Sequence, residues 1–385
     1  MSAPGGRPAP LPGPALDRFL AELVAAGPVS GVSALVGTPG TPDTPGGIEW
    51  QGSAGSARPG LPESDPNRSV SPATRFDFGS LTKPFLATLA LVLDASGELP
   101  LVLPVGEVWP AAAPRLAPLP LADLLRHRAG FAAWTPLYYR CRSPADVLSL
   151  LLGGELLGAP PGTYSDLDYL LWGRAAEARL GVPLETLLAE RVLRPLGLTG
   201  VSTAPGDRPG VAQSLMGTGK EVELAAGEGM TIADLGPPPP GVVQDGNARF
   251  LAGFGMPLPG NAGLFGTAAD LFALAVEWLR PGRLLSLEAR ERALAGTIDR
   301  EGLYALGWVR RNVAGSAGGA IGPRSFGHSG FAGGSLWIDP ERQRILVLLS
   351  ARTDPAGDLN LWRRRFHALA YDEGTAVASG EHTDS

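Results

Sequence analysis

Lysine occurs at only two positions of this chain, Lys83 and Lys220, although lysine and arginine together number 32. Lys83 stands three residues after Ser80 in the stretch "FDFGSLTKPF", Phe76 to Phe85. After Gly79 the apolar positions Phe85, Leu86, Leu89, Val92 and Leu93 follow the 3.6-residue period, Pro84 falls in the first turn, and Gly97 closes the segment. The pattern predicts a helix with Ser80 at its start and Lys83 projecting from the same face. Backbone N–H groups at such a start lack partners and the macrodipole is positive, so negative charge forming near Ser80 is stabilised. A buried ammonium, unlike a guanidinium, can be driven down in pKa until it accepts a proton from a serine hydroxyl. The pair therefore points to a serine nucleophile assisted by lysine. Spacing alone leaves open a Ser80 that only caps the helix and a Lys83 on the surface.

Two further blocks carry groups of matching chemistry. "PPGTYSDLDYLLWG" places Tyr164 and Asp166 just before a predicted helix. "FGHSGFAGGSLWIDPERQRILVLLS" places His328, Ser329 and Gly330 at the beginning of a glycine-rich strand hairpin. With Ser80-x-x-Lys83, these blocks resemble, in order and separation, the serine β-lactamase and penicillin-binding protein superfamily, above all its class C-like members, which include esterases and D-amino-acid peptidases. "LLRHRAGF", containing His127, and residues 244–271 extend the resemblance, which covers about residues 15–372. It implies Ser80 as nucleophile, with Lys83 and Tyr164 sharing the base role: Tyr164 takes the hydroxyl proton and returns it to the leaving group. It also implies an oxyanion hole from the backbone N–H groups of Ser80 and Phe331, and substrate contacts from Asp166, His328, Ser329 and Gly330, the glycine admitting the substrate as an added strand.

The chain departs from the family pattern at two positions. His328 occupies a place where many members carry lysine, which favours an uncharged ester or small amide over a β-lactam carboxylate. Arg324 or Arg352 are the candidates to restore that charge. Asp166 stands where asparagine is commoner; it would either hold Lys83 as a charged ammonium or turn outward to cap the following helix, and the cap is the favoured reading. The expected activity is ester or small-amide hydrolysis through a Ser80 acyl-enzyme. The alternatives are a β-lactamase or D-alanyl peptidase, and a catalytically silent sensor of the penicillin-binding type. An α/β-hydrolase is disfavoured, because no serine has glycines at both −2 and +2.

The surrounding elements must bring these distant blocks together. A helix is expected from Ala15 to about Ala26, then "GVSALVG" and "IEWQGSAG" as paired strands, a mostly helical middle at about 115–290, and strands again in "LYALGWVRR", "FAGGSLWID" and "RILVLLSAR". Strands at both chain ends imply an α+β fold, β-lactamase/transpeptidase-like, whose antiparallel sheet joins N- and C-terminal segments, is flanked by helices and carries an inserted helical lobe. The expected division is a flexible tail at 1–14, one hydrolase domain at 15–372, with an α/β lobe at about 15–114 plus 291–372 and a helical lobe at about 115–290, and a disordered tail at 373–385.

Composition sets the outer limits. With 385 residues, 44% hydrophobic and 18% charged, the chain is globular and long enough for two packed lobes. A net charge of −6 offers no phosphate-tracking surface, so no nucleic-acid partner is expected. The one dense basic cluster, Arg363 to Arg365 in "LNLWRRRFHALAY", reads as a solvated helix face. Lys220 in "LMGTGKEVEL" fails the phosphate-loop pattern, with Ser214 in place of its first glycine and Glu221 in place of its Ser or Thr, and reads as a hairpin turn. The single Cys141 reads as a structural thiol, and His127 as a residue that organises its loop. His127, His328, His367 and His382 show no paired spacing, so no metal is expected, and no cofactor. No apolar run reaches the roughly 18 residues of a membrane span, and the N-terminus lacks a secretory pattern, so a cytoplasmic location is expected.

Overall fold

The computed structural model describes residues 12–41, 44–295, 303–354 and 357–371. The tails expected at 1–14 and 373–385, His382 included, lie outside these residues, except that Pro12 to Pro14 open the first helix, Gly13–Ala25. That helix leads into β1 (Val29–Thr41) and β2 (Thr44–Gly55), which pair antiparallel from Gly31↔Gly55 to Thr41↔Thr44. Three short strands, β3 (Phe76–Asp77), β4 (Ser202–Thr203) and β5 (Leu264–Gly266), form a small sheet of their own. The chain ends in β6 (Tyr304–Ala305), β7 (Trp308–Arg310), β8 (Phe326–Ser329), β9 (Ser335–Asp339) and β10 (Arg344–Arg352), followed by the helix Leu359–Ala370.

The main sheet runs β2-β1-β10-β9-β8-β7-β6, with every pair antiparallel, so the two chain ends meet at β1 and β10. Side-chain alternation explains how it is covered. Val32, Ala34 and Val36 of β1 and Leu346 and Leu348 of β10 pack with Leu16, Phe19, Leu20 and Leu23 of the first helix and Phe366 of the last. The intervening Leu35, Ile345, Val347 and Leu349 face the larger core on the other side. Across that face lies the helix Ala268–Leu279, whose start is fixed by a reciprocal Thr267–Asp270 capping box.

The helix Thr82–Ala95 is buried almost all round: Phe85, Leu86, Leu89 and Leu93 are inaccessible, and so is Lys83. A helix sheathed by apolar neighbours offers an ammonium no water, so Lys83 must find its partners inside the protein. The position of this helix is set by β3, which pairs through Phe76↔Gly266 and Asp77↔Phe265. A Cβ on Gly266 would stand 2.5 Å from the Phe78 ring, so the two segments meet at glycine contact distance.

Two expectations change here. Lys220 does not sit in a hairpin: it begins the helix Gly219–Gly227 and pairs with Glu223 one turn on, at 2.6 Å. Its glycine-rich approach imitates a turn, but the i, i+3 charge pair and apolar Val222 and Ala225 continue helically. The triple arginine is not one solvated face either: Arg365 is 44% exposed, while Arg363 is buried. Consecutive helical residues lie about 100° apart, so three in a row cannot all point the same way.

Candidate active site

Ser80 lies in a short turn, Gly79–Leu81, that runs directly into the Thr82–Ala95 helix. Gly79 has φ +50°, and its N–H donates to Asp77 Oδ1 at 2.8 Å. Asp77 Oδ2 accepts the Gln244 N–H at 2.7 Å, so one carboxylate ties the turn to a distant loop. Burial pushes Asp77 up to about 6, with the two N–H bonds opposing.

Lys83 Nζ donates to Ser80 Oγ at 2.9 Å, to Asp166 Oδ1 at 2.6 Å and to the Asn261 carbonyl at 3.1 Å. All three ammonium protons are thereby taken. Tyr164 OH donates to the same Ser80 Oγ at 2.9 Å, and the Tyr164 ring centroid lies 5.0 Å from Nζ. The expected trio converges on one oxygen, and the alternative of a surface Lys83 is excluded.

Asp166 does not cap. Ser165, one residue earlier, takes that place: its Oγ accepts the Leu167 N–H at 3.2 Å, at the start of the helix Asp166–Leu180. Asp166 is thus free to turn inward to Lys83 with 18% of its side chain exposed. Burial alone would lower the Lys83 ammonium, but the Asp166 charge, seconded by Tyr164, more than reverses this and holds it above its ordinary value. Tyr164 is also raised, by burial first, with Lys83 opposing and Asp166 adding. At rest the site holds an ammonium and a neutral phenol, and the proton-accepting form of either is reached only as pH rises. Asp166→Asn removes a charge that raises both groups, so the alkaline rise of kcat/KM should move to lower pH. A pH–rate profile that coincides with the unmodified enzyme would contradict this.

Two histidines frame the phenol. His127, at φ +56°, accepts the Ser165 N–H on Nδ1 at 3.1 Å, and its ring centroid stands 4.4 Å from that of Tyr164. Burial first, then the nearby Lys83, holds His127 well below its ordinary value and neutral. His127 is thus tied to the segment that carries Tyr164, and Tyr304, which sequence gave no cause to select, adds a third ring at 5.8 Å from Tyr164. His328 bonds the Ser329 carbonyl at 2.9 Å through Nδ1, and burial with the Lys83 charge lowers it to about 3. It carries no charge at any ordinary pH.

The β8 end packs against the nucleophile turn. A Cβ on Gly330 would lie 2.5 Å from the Phe78 carbonyl oxygen and 3.6 Å from Ser80 N; one on Gly79 would lie 3.7 Å from Phe331 N. The Ser80 and Phe331 amides thus flank one small space, and among the described residues neither N–H has an acceptor. Gly330 is needed first for this close approach of protein to protein. The notion of β8 as an open edge also narrows: β7 pairs with it along Phe326 and Gly327, which leaves the 328–330 end for a substrate. Gly330→Ala should push that end off the turn and lower kcat by about 10²–10³-fold, the scale of one lost oxyanion donor. Ester kinetics beside a melting curve would check this; an active alanine variant would refute the tight fit.

Two cavities meet at Ser80, Tyr164 and Phe331. One, of about 390 Å³, is lined by Tyr304, Asn312, His328, Arg352 and Arg363. The other, of about 280 Å³, is lined by Trp134, Asp166, Lys220, Glu221, Leu224 and Asp245. Burial, with the Asp245 charge adding, raises the Glu221 carboxyl above its ordinary value. Of the two arginines considered for carboxylate binding, Arg352 lines the first cavity, whereas Arg324 is 76% exposed and paired with Glu341. Sequence pattern points to the regions 132–145 and 203–247 as shaping the pocket, but does not single out Trp134, Glu221 and Asp245 within them.

The family model "Beta-lactamase" matches residues 16–370. The chain belongs to the beta-lactamase family. Its fold class is the one expected from the sequence. The protein named "Putative D-alanyl-D-alanine carboxypeptidase" of Escherichia coli O157:H7 is 29% identical over 275 residues, which are 63% of this chain and 60% of that protein's length. Among solved structures, the class C beta-lactamase from Rhodobacter sphaeroides is 17% identical with a TM-score of 0.66, covering 93% of this chain and 99% of its own. EstCE1, a hydrolase with promiscuous acyltransferase activity, is 17% identical with a TM-score of 0.67, covering 92% and 97%. At such identities the two structures speak to the fold. Among the described residues, no helix of this family member is long and apolar enough to cross a membrane.

Proposed function

We propose that this beta-lactamase-family protein hydrolyses an uncharged carboxylic ester or small amide through a Ser80 acyl-enzyme. One observation carries the reading: Ser80 Oγ lies 2.9 Å from both Lys83 Nζ and Tyr164 OH. Tyr164, once its phenol is deprotonated, takes the hydroxyl proton as Ser80 attacks, then returns it to the leaving group; Lys83 steadies the charge on both oxygens. The developing oxyanion falls between the Ser80 and Phe331 amides. A water activated from the same side releases the acyl group.

The preference for an uncharged substrate rests on the walls. His328 is neutral, burial raises the Glu221 carboxyl, and Asp166 is paired with Lys83. A second reading, cleavage of a D-alanyl peptide or a β-lactam, draws on Arg352, which lines the larger cavity where a substrate carboxylate would lie. A panel of p-nitrophenyl esters, nitrocefin and D-alanyl dipeptides separates them. Ester kcat/KM should exceed the other two; faster turnover of nitrocefin or the peptides would transfer the assignment to the second reading.

A further inference from the structure

The buried arginine of the last helix has no role in the chemistry above. Leu359, Arg363, Phe366 and Ala370 follow one another at i, i+4, i+7 and i+11, all four on the buried stripe of the helix Leu359–Ala370. The stripe carries the guanidinium inward, to 6% exposure. Nη2 donates to the Gly330 carbonyl at 3.1 Å and to the Gly334 carbonyl at 2.9 Å, and Nη1 donates to Asn360 Oδ1 at 2.9 Å. Among the described residues no carboxylate lies within ion-pair distance of it. A buried cation with no carboxylate in ion-pair reach is costly, and its hydrogen bonds to these carbonyls are what hold it there.

Those carbonyls close the turn between β8 and β9. The Gly330 N–H donates to Gly334 O at 2.8 Å, and the Gly333 N–H donates to Gly330 O at 3.1 Å. The Gly330 carbonyl and the Phe331 N–H are the two ends of one planar trans peptide unit. Whatever fixes the oxygen therefore fixes the direction of the hydrogen. A cation on the oxygen also draws electron density through the amide and makes the N–H a stronger donor.

We propose that Arg363 is a positioning residue of the oxyanion hole, holding the Gly330–Phe331 peptide plane so that its N–H aims at the oxygen formed on the Ser80 adduct and polarising that N–H. This rests on the acyl-enzyme reading, because only a tetrahedral oxyanion uses the Phe331 donor. Arg363 lines the cavity beside Arg352 as well, so a neutral substrate isolates the effect it exerts through the peptide. That effect is largest in the transition state and small in ground-state binding.

Arg363→Gln and Arg363→Lys test this with a neutral p-nitrophenyl ester, following kcat, KM, the melting temperature and the affinity for a small phenylboronic acid. The boronate forms a tetrahedral adduct on serine that places an oxygen in the oxyanion hole. In Arg363→Gln, kcat should fall by about tenfold to a hundredfold, less than the about 10²–10³-fold of a donor lost outright. KM should stay within about twofold, and boronate affinity should fall by the same factor as kcat. Arg363→Lys, with the charge but without the fork, should lie between. If Arg363→Gln does not fold, Asn360→Ala, which releases one anchor of the guanidinium, should lower kcat with KM held. The proposal is overturned if a folded variant keeps kcat within twofold, if activity falls only with the folded fraction while boronate affinity per folded molecule holds, or if the loss sits in KM for carboxylate-bearing substrates. Ser80→Ala measured alongside separates the two layers: an active alanine variant sinks the acyl-enzyme reading, whereas an inactive one beside unaffected Arg363 variants sinks this inference alone.

Discussion

Ser80→Ala is expected to lower ester hydrolysis by about 10⁴–10⁶-fold, on the scale seen when a serine hydrolase loses its nucleophile. Ser80 Oγ is the one atom that both Lys83 Nζ and Tyr164 OH reach, so its removal leaves two proton carriers with nothing to activate. The fold should survive. Lys83 retains Asp166 and the Asn261 carbonyl, and the backbone N–H of residue 80 remains in place. The residual rate should come from the oxyanion donors and substrate binding. Steady-state kinetics paired with a melting curve checks both halves, and a folded variant within tenfold of the parent rate would remove Ser80 from the chemistry.

Lys83→Met is expected to cost about 10²–10⁴-fold in kcat/KM, the range of a lost general acid–base partner. Methionine keeps the unbranched stem in a site with no exposure, so packing changes little. The chemistry changes on three counts: Ser80 loses a charged donor, the Tyr164 phenolate loses the cation that favours it, and Asp166 loses its counter-ion. With the ammonium gone, the Tyr164 phenol should titrate higher, so the residual activity should rise only at more alkaline pH. The stability loss should fall below the roughly 3–5 kcal/mol of a broken, fully buried pair, because Asp166 reaches water. A Lys83→Met enzyme with a parental rate and pH profile would show the ammonium to be structural.

The Ser80–Lys83 pair was legible because its signal is local, whereas Tyr164 entered only through the resemblance of its block. Three residues along a helix put Ser80 and Lys83 on one face whatever the rest of the fold does, and a lone lysine among arginines marks a site where the basicity of an amine matters. The sheet was legible for a similar reason, since "VSALV" and "RILVLLSAR" each sort their side chains by alternation. Asp166 was misjudged by one residue: Ser165 and Asp166 are both good caps, and only the helix geometry decides which turns inward. Arg363 was legible in principle. Its spacing from Leu359 and Phe366 places it on the apolar stripe, a cue masked by the charge of three consecutive arginines. Tyr304 was not legible, and Trp134 and Glu221 only as members of regions expected to shape the pocket, because their relation to Ser80 exists only after segments more than 50 residues apart have packed.

Hydrolysis by this route passes through a covalent bond between an acyl group and Ser80 Oγ. Rapid acid quench of the enzyme with a slowly released p-nitrophenyl ester, followed by intact mass and peptide mapping, tests it directly. A mass increase equal to the acyl group is expected, confined to the peptide containing Ser80 and absent in Ser80→Ala. Turnover with no adduct at any quench time, or an adduct on another residue, would contradict it.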